Sequence, residues 1–519
     1  MIERPLLYLL LGIAIFHVVT MPRFTYPGDN FAPRAACVSL LTTGDIGIEA
    51  SASTELGSFL TQRGQYFFER EVSGKFYSKY GIGNTLLYLP PLLAERLTGG
   101  EIGFQSGSTS LLVWMNLWSI VLTLVATVFL YRIVSLYTAR PLIRVGFILV
   151  LYYTTFVWYY LRSPSLEIFQ IVPFVAFLGY LLRYLRGRQG EREMGKVAVN
   201  AAPGSDSHLI QATVWLGVLV LMKLFFVILI PVVWFFVISA GPRTTPLRAR
   251  WQANCSKTGI RLLVRPLLLP TAAIIVLLLV VNQIKFGSPF NSGYGQWQGA
   301  DGQAHDHFGI SYLITATTSF LFKPGNANVF IHVPPLLVAL FGLPAFLRRH
   351  RSEALFLLTV AGTIFVGVSC FSSWAGEWCY GPRYLLPIAL IGTLPRIEVG
   401  EWLLKVPRRV AAPITILIGV VLLWSFGMQV RINSLHYFSF YRTQAFFAAF
   451  PNPEISGYYK GLFHRGVLHR DLIRYREGRG EFLPATILRE MVPLEAREEV
   501  DRELSDYLNR AVEPNFLFF

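Results

Sequence analysis

Long stretches of apolar residues with almost no charge recur along the whole chain and set the strongest limit on its fold. Several of them extend over about 17 residues or more, the length that a helix needs to cross about 30 Å of hydrocarbon. Of the 519 residues, 53% are hydrophobic and only 15% are charged, a balance that a soluble domain of this length does not tolerate. The sequence therefore predicts an all-α polytopic membrane protein.

Hydropathy and charge predict about eleven transmembrane helices. The apolar run 209–240 is about twice as long as one crossing needs and contains Lys223, whose charge is costly at the bilayer centre. We divide it there into two short helices that meet on the outer side. The first apolar run of the chain, Pro5–Thr20, is not followed by a small-residue cleavage site, so it resembles an uncleaved signal anchor. The other predicted spans are Pro5–Thr20, Leu111–Ile133, Val145–Leu161, Leu166–Leu182, Leu267–Ile284, Val329–Leu347, Ala354–Cys370, Tyr384–Leu394 and Ala411–Met428.

The net charge of +15 is concentrated in arginine and lysine clusters that flank the apolar runs. Nucleic-acid binding requires a basic face or groove with interleaved aromatic residues, so no nucleic-acid partner is expected. The positive-inside rule instead assigns the clusters at 183–192 and 243–257 to the cytoplasm. We therefore expect an integral protein of a bacterial inner or plasma membrane, in contact with membrane lipid, with a cytoplasmic amino terminus and an external carboxyl terminus.

This topology divides the chain into two regions. Residues 1–429 are predicted to form a transmembrane catalytic domain whose first extracytoplasmic loop covers residues 22–109. Residues 430–519 mix charged residues with Tyr, Phe and Leu and are predicted to form a small extracytoplasmic C-terminal region. Loops as long as the first one are usually functional, so we expect the active site to face the extracytoplasmic side.

Sequence motifs of common soluble enzymes are absent. There is no phosphate-binding loop, no H-E-x-x-H, no G-x-S-x-G and no dinucleotide-binding G-x-G-x-x-G. The four cysteines lack the spacing of a zinc or iron site. His305 and His307 flank Asp306 in a glycine-rich stretch, which is a weak metal signature. No cofactor is assigned, and a divalent cation stays an open alternative.

Asp29 follows the first predicted span and is the first candidate for catalysis. A carboxylate close to the membrane surface can act as a general base. The sequence Pro-Gly-Asp-Asn is also turn chemistry, and Asp29 can instead cap a helix that runs through Arg34 to Leu41. Asp45 has the same two interpretations, and for this residue the turn is favoured.

A second group of candidates lies at 75–84, where two lysines and two tyrosines alternate with glycines. Lys79 can bind a phosphate by a charge-assisted hydrogen bond, and Tyr77 can contact sugar hydroxyls. The glycines let the backbone approach a ligand closely. The alternative is a glycine-rich turn whose lysines extend to the lipid headgroups.

The third group is a compact outer segment, 373–384, at the mouth of a predicted span. Arg383 is the preferred phosphate ligand because a guanidinium binds phosphate oxygens in pairs. Lys223, Lys285 and Lys323 add positive charge on the same face. Contacts to sugar or acceptor are predicted for Trp374, Glu377, Trp378 and Tyr380. The alternative is an interfacial aromatic belt with an arginine that faces the headgroups.

The order of these features resembles the GT-C superfamily of integral membrane glycosyltransferases, which includes the protein mannosyltransferases and the lipid A aminoarabinose transferases. The resemblance extends from Met1 to about Met428. It rests on Gly28-Asp29, on Phe76-Tyr77-Ser78-Lys79-Tyr80-Gly81 before an apolar Leu-Pro-Pro segment, on Phe286-Gly287-Ser288-Pro289 and on Tyr380-Gly381-Pro382-Arg383-Tyr384.

The resemblance implies a sugar donor carried on a polyprenyl phosphate and a catalytic aspartate in the first outer loop. Asp29 would take the proton of an acceptor hydroxyl, with inversion at the anomeric carbon, in a hexosyl or pentosyl transfer. Arg383, Lys79 and Lys223 would bind the donor phosphate, and the acceptor would be a lipid, a glycan or a protein.

The chain departs from the superfamily pattern where many relatives carry an Asp-Glu pair, because it has Asp29-Asn30. This leaves Glu377 or Glu49 as the second carboxylate. It also lacks a W-W-D-Y-G motif, so its sequence does not resemble an oligosaccharyltransferase.

A transporter or flippase of lipid-linked sugars is the main alternative, because a basic outer cavity can bind such a lipid without reacting with it. Transporters often contain repeated halves with matching broken helices, and the sequence shows no such duplication. A second alternative is a ligase or polymerase that acts on lipid-diphosphate glycans, whose large outer loop usually falls late in the chain. Here the largest internal outer loop comes first, which favours the glycosyltransferase.

Overall fold

The computed structural model describes residues 3–22, 30–49, 66–70, 72–104, 108–162, 164–190, 204–240, 246–256, 264–293, 307–323, 327–374 and 380–434. Most of the regular structure in these segments is helical. In chain order the helices are α1 Arg4–Val19, α2 Phe31–Thr43, α3 Ile82–Leu86, α4 Leu89–Leu97, α5 Thr109–Val134, α6 Pro141–Tyr153, α7 Val157–Leu161, α8 Leu166–Gly190, α9 Gly204–Met222, α10 Leu229–Ser239, α11 Leu247–Asn254, α12 Leu269–Phe286, α13 Leu313–Leu321, α14 Val329–His332, α15 Pro335–Arg349, α16 Arg351–Ser369, α17 Leu386–Gly392, α18 Arg396–Leu403 and α19 Arg408–Ser434.

Five helices in the described part of the chain are long and apolar enough to cross a membrane: Thr109–Val134, Leu166–Arg188, Val264–Phe286, Arg351–Ser369 and Arg408–Asn433. Shorter apolar helices of 10–17 residues accompany them. A helix pairs its backbone polar groups internally, which is what the hydrocarbon interior requires of any segment that crosses it. The chain is therefore an integral, helical membrane protein.

Helix α8 lies at the centre of the bundle. Of its most apolar stretch, 83% is buried inside the protein, where it packs along α5 and α9. By contrast, the protein buries only 6% of the corresponding stretch of α19 and 17% of that of Val264–Phe286. Helices that are apolar on every face and are not covered by protein are suited to contact with lipid.

The predicted division of the long run at Lys223 is confirmed. Helix α9 ends at Met222, and Lys223 has an extended backbone with φ −146° and ψ 108°. A short 3-10 helix, Leu224–Ile228, then leads into α10. The carbonyl of Met222, left without a helical partner, accepts a hydrogen bond from the side-chain amide of Asn84 at 2.7 Å. The break thus provides a polar contact point inside an apolar bundle.

Two predicted spans are wrong as single helices. The span Val145–Leu161 breaks between α6 and α7, where the hydroxyl of Thr155 donates to the carbonyl of Leu151 at 2.6 Å and competes with the helical pattern. The span Val329–Leu347 breaks before Pro334, which cannot donate a backbone hydrogen bond. The predicted span Tyr384–Leu394 is a short 3-10 turn followed by the seven-residue helix α17.

The first outer segment contains helix α2, which confirms the helix expected through Arg34 to Leu41. It also contains the hairpin of strands β1 Phe67–Arg70 and β2 Lys75–Ser78, which pair antiparallel. Helices α3 and α4 follow the hairpin. At the other end of the chain α19 continues to Ser434, and the rest of the predicted C-terminal region lies outside the described residues.

Candidate functional site

A cavity of about 350 Å³ opens at the break between α9 and α10. Its walls come from the first turns of α8, from the 3-10 helix after Lys223, from the end of α16 and from the start of α17. Most of the lining is apolar. The polar side chains are few and converge on one cavity, as in many ligand sites: Glu167, Gln170, Lys223, Ser292, Arg383 and Tyr384.

Arg383 is held in the cavity wall by two contacts. Its Nη1 lies 3.6 Å from Oε1 of Glu167, and both side chains are only 13% exposed. Its Nη2 donates to the hydroxyl of Tyr384 at 2.9 Å. The guanidinium carbon is 4.7 Å from the centre of the Tyr384 ring. A guanidinium fixed in this way retains its flat, forked donor geometry for an anion.

Lys223 contacts the same aromatic ring, with its ammonium nitrogen 4.3 Å from the centre of the Tyr384 ring. A ring face attracts cations, and the attraction strengthens where water is excluded. Two of the three predicted phosphate ligands, Lys223 and Arg383, are thus brought together by one tyrosine. Sequence reasoning placed Tyr384 at the start of a span and did not assign it to the site.

Glu167 was missed because it stands at the beginning of an otherwise apolar span. An ionisable residue at such a place is itself a functional signal. The local geometry explains its position: Ser165 Oγ accepts a hydrogen bond from the amide of Ile168 at 3.2 Å and caps the first turn of α8. Asn30 Oδ1 accepts from the amide of Leu166 at 3.0 Å, which attaches the first outer loop to the same turn.

Asp29, Glu377 and Trp378 lie outside the described residues. Asn30, which follows Asp29 in the sequence, is 8% exposed and occupies the N-cap position of α2, although its own side chain caps α8 instead. The contact of Asn30 with α8 was not predicted from the sequence, and the role of Asp29 stays a prediction.

Lys79 is buried on the loop side of the break and does not line the cavity. Its ammonium nitrogen lies 5.6 Å from the ring centre of Tyr66 and 5.3 Å from that of Tyr80. The neighbouring Lys285 is also buried and donates to the carbonyl of Tyr80 at 2.5 Å. Lys79 and Lys285 therefore pack around Tyr80, just before α3 and outside the cavity.

The glycines of this segment let it approach the broken helix. A Cβ atom on Gly81 would lie 2.1 Å from the carbonyl oxygen of Leu221, and one on Gly83 would lie 2.8 Å from Cγ of Met222. The segment that carries Lys79 is therefore packed directly against the end of α9, one residue before Lys223. The sequence predicted a close approach of this glycine backbone to a ligand, and the structure shows a close approach to another part of the chain.

The aromatic candidates in the described residues are engaged in packing. Tyr77 is 4% exposed, and its ring lies against Gly47. Tyr380 is 2% exposed, its hydroxyl accepts from the side-chain amide of Gln429 at 3.0 Å, and burial raises its pKa above the usual range. Trp374 meets the ring of Phe320 edge-on, with centroids 5.4 Å apart. None of these three residues lines the cavity.

Asp45 and Glu49 form a separate polar cluster with Lys75. The lysine nitrogen lies 2.8 Å from Asp45 and 2.9 Å from Glu49. Asp45 also accepts from the amide of Gly47 at 3.0 Å, which agrees with the favoured turn. Burial alone would raise the pKa of Asp45, but the hydrogen bonds from Lys75 and the backbone outweigh it and hold that pKa below its usual range. Glu49, a candidate second carboxylate, does not line the cavity.

A divalent cation finds no ready set of ligands in the described part of the chain, which has no group of three or more His, Cys, Asp or Glu side chains close together. His305 and Asp306 lie outside that part. The backbone carbonyl of His307 accepts a hydrogen bond from the backbone amide of Ser372 at 2.8 Å. Among the described residues, Glu167 is the one carboxylate that lines the cavity.

No family model and no curated protein matches the sequence. Among solved structures, the chain matches the oligosaccharyltransferase of Archaeoglobus fulgidus, tethered to an acceptor peptide with the NVT sequon, at a TM-score of 0.51 and 11% identity. The alignment covers 89% of this chain. The chain therefore shares the fold of the membrane part of that oligosaccharyltransferase.

Two further GT-C proteins match with lower scores. ArnT of Cupriavidus metallidurans, bound to undecaprenyl phosphate, has a TM-score of 0.48 and 14% identity over 89% of this chain and 75% of its own. AglB of Archaeoglobus fulgidus, with an inhibitory peptide and a dolichol-phosphate, has a TM-score of 0.45 and 12% identity over 88% of this chain. The chain spans only 59% of the length of either oligosaccharyltransferase structure.

Proposed function

We propose that the protein is an inverting glycosyltransferase that moves a sugar from a polyprenyl-phosphate donor to an extracytoplasmic acceptor hydroxyl. The observation that carries this proposal is the pair of cations, Lys223 and Arg383, on the ring of Tyr384 at the wall of a mainly apolar cavity within a membrane bundle. A ligand with a phosphate and an apolar tail matches both features, because arginine and lysine bind phosphate and the lining excludes water.

In this reaction the acceptor oxygen forms a bond to the anomeric carbon while the bond from that carbon to the phosphate oxygen breaks. The acceptor proton passes to a general base, and the electron pair of the broken bond stays on the polyprenyl phosphate. Arg383 and Lys223 are the proposed phosphate ligands in the cavity, and Lys79, the third predicted ligand, lies outside it. Charge grows on the departing phosphate, so cations fixed around it stabilise the transition state more than the bound donor.

Asp29 is the proposed general base. Its support is sequence adjacency: Asn30, the next residue, is attached to the first turn of α8, and Glu167 in that turn lines the cavity. Glu167 itself is a better-supported second carboxylate than Glu49, because it faces Arg383 in the cavity whereas Glu49 pairs with Lys75. Contacts to the sugar or acceptor are proposed for Glu377 and Trp378, whereas Tyr77, Trp374 and Tyr380, the other three predicted contacts, pack outside the cavity.

The finer topology belongs to the same proposal. It comprises about eleven spans, a first extracytoplasmic loop at 22–109, a catalytic domain at 1–429 and a small external region at 430–519, in a bacterial inner or plasma membrane. The active site faces outward, and the sugar is a hexose or a pentose. The acceptor is a lipid, a glycan or a protein.

The proposal is tested by transfer of radiolabelled sugar from a panel of synthetic polyprenyl-phosphate sugars in membranes that contain the wild type or a variant. Asp29→Asn should lower transfer by about 10²- to 10⁴-fold with donor binding retained. Arg383→Gln and Lys223→Gln should weaken donor binding itself. Lys405→Gln, which removes the charge of an exposed lysine outside the cavity, is the matched control and should behave as the wild type.

A transporter or flippase of lipid-linked sugars is the second candidate, and the helix break at Lys223 favours it, since discontinuous helices are typical of transporter sites. The same panel separates the two. Donor binding that depends on Arg383 and Lys223 without turnover of any donor would support the transporter. Transfer that is unaffected by Asp29→Asn would move the role of base to another carboxylate.

A further inference from the structure

A groove lined by apolar side chains runs along the side of α17 that faces away from the cavity. Leu386, Pro387 and Leu390 of this region line the cavity, whereas Leu385 and Ile388 line the groove. The groove has a volume of about 220 Å³, and none of the described side chains that line it is charged. It is therefore a compartment separate from the proposed phosphate site.

The length of the groove matches one leaflet of a bilayer. One face of α15 lines it from Leu336 to Phe346, and one face of α16 lines it from Ala354 to Phe365. At 1.5 Å per residue, each of these stretches is about 15 Å long. The hydrocarbon core of a bilayer is about 30 Å thick, so the groove has the depth of one acyl layer.

Positive charge is concentrated at one end of this groove. The end at Phe346 and Ala354 adjoins the turn between α15 and α16, which carries the exposed residues Arg348, Arg349 and Arg351. Arg349 forms an ion pair with the buried Glu398 at 2.5 Å. The Nε of Arg348 donates to a carbonyl of its own helix, and in the described residues neither Arg348 nor Arg351 has an acidic partner.

We propose that the groove holds one acyl chain of an anionic phospholipid, whose headgroup phosphate contacts Arg348 and Arg351. The apolar lining selects an acyl chain, and the arginines select the negative headgroup, because basic residues beside a membrane surface attract anionic lipids. This lipid site is independent of the proposed glycosyl transfer and of the cavity that would perform it.

The polyprenyl tail of the donor is the competing occupant, and the direction of α17 disfavours it. Gly392 contacts Leu336, whereas Pro395 contacts Gly342, so α17 and the residues after it run along α15 in the same direction. The Leu385 end of the groove therefore lies far from the arginines. If the groove held the tail of a donor whose phosphate is bound at Arg383, no anion would contact Arg348 and Arg351.

Native mass spectrometry of the full chain in a mild detergent tests the proposal with phosphatidylglycerol and phosphatidylcholine as probes. We expect one phosphatidylglycerol to be retained in preference to phosphatidylcholine. Arg348→Gln combined with Arg351→Gln should weaken its retention by about 25-fold, since each basic residue near a membrane surface contributes about fivefold. Arg408→Gln combined with Arg409→Gln removes the same charge from exposed residues that do not line the groove and should leave retention unchanged.

A second pair of variants tests the groove itself. Ala361→Phe places a ring in the groove and should abolish retention. Gly362→Phe places the same ring one residue further along α16, where a Cβ atom meets open space, and should have no effect. Equal retention in both members of either pair would overturn the proposal. Undecaprenyl phosphate that displaces phosphatidylglycerol from the wild type, and that is itself no longer retained by Ala361→Phe, would overturn it in favour of the donor tail.

Discussion

Replacement of Gly81 tests how the outer loop is attached to the broken helix. A Cβ atom there would lie 2.1 Å from the carbonyl oxygen of Leu221 and 2.5 Å from that of Met222. These are backbone atoms at the end of a packed helix, so Gly81→Ala must displace the loop. Overpacking costs about 1–3 kcal/mol, and loss of the hydrogen bond from Asn84 to Met222 adds about 0.5–1.5 kcal/mol, so the expected loss of stability is about 1.5–4.5 kcal/mol.

The assay is thermal unfolding of the purified protein in detergent, followed by intrinsic fluorescence. Gly81→Ala should lower the Tm by several degrees, and it should lower sugar transfer as well, because Lys79 and Lys223 stand on the two sides of this contact. Gly146→Ala is the control. Its Cβ meets nothing within 4 Å, and alanine in a helix is more stable than glycine by about 1 kcal/mol. A Tm of Gly81→Ala equal to the wild type would refute the close packing of loop and helix.

Three further substitutions follow from the same contacts. Asn30→Ala removes the cap of α8 and should cost about 1–2 kcal/mol in thermal unfolding, whereas Asn30→Asp keeps the acceptor and should stay near the wild type. Asp45→Asn should lower the Tm at neutral pH. Because Lys75 holds the pKa of Asp45 down, this difference should shrink as the pH falls below about 4 and vanish at lower pH; a constant difference would contradict the ion pair. Tyr384→Ala should weaken donor binding about tenfold by removing the ring that holds Arg383, while Tyr384→Phe should lose less. Equal donor affinities in a binding titration would contradict that role.

The sequence predicted those features of the fold that depend on local chemistry. A charge in an apolar run too long for one crossing predicted the break at Lys223, and the structure has that break. Glycines beside Lys79 predicted that the backbone approaches a ligand closely, and in the structure Gly81 closely approaches the end of α9. The short helix α13 was missed because its nine residues are too few to cross a membrane. At Lys223 and at Gly81, the sequence pattern behind the prediction lies within about one helical turn of the residue itself.

What the sequence did not predict are contacts between residues far apart in the chain. The pairing of Arg383 with Glu167 joins positions more than 200 residues apart, and no periodicity records it. Nor does any periodicity record the contact of Asn30 with the first turn of α8, 136 residues away. Tyr77 and Tyr380 carry residue types that suit sugar binding, yet each is buried by its own neighbours. Residue type indicated the chemistry of the site, and tertiary packing selected which side chains line it.

The charges that line the cavity suit the proposed reaction. Lys223 and Arg383 contribute two positive charges and Glu167 one negative charge, so the described lining carries a net charge of +1. A sugar on a polyprenyl phosphate is a phosphodiester with one negative charge, whereas the polyprenyl phosphate product is a monoester with a charge of about −1.5 to −2 at pH 7. The cavity therefore attracts the leaving group more strongly than the donor. That difference favours cleavage of the bond to the sugar, and it predicts that release of the lipid phosphate slows each turnover.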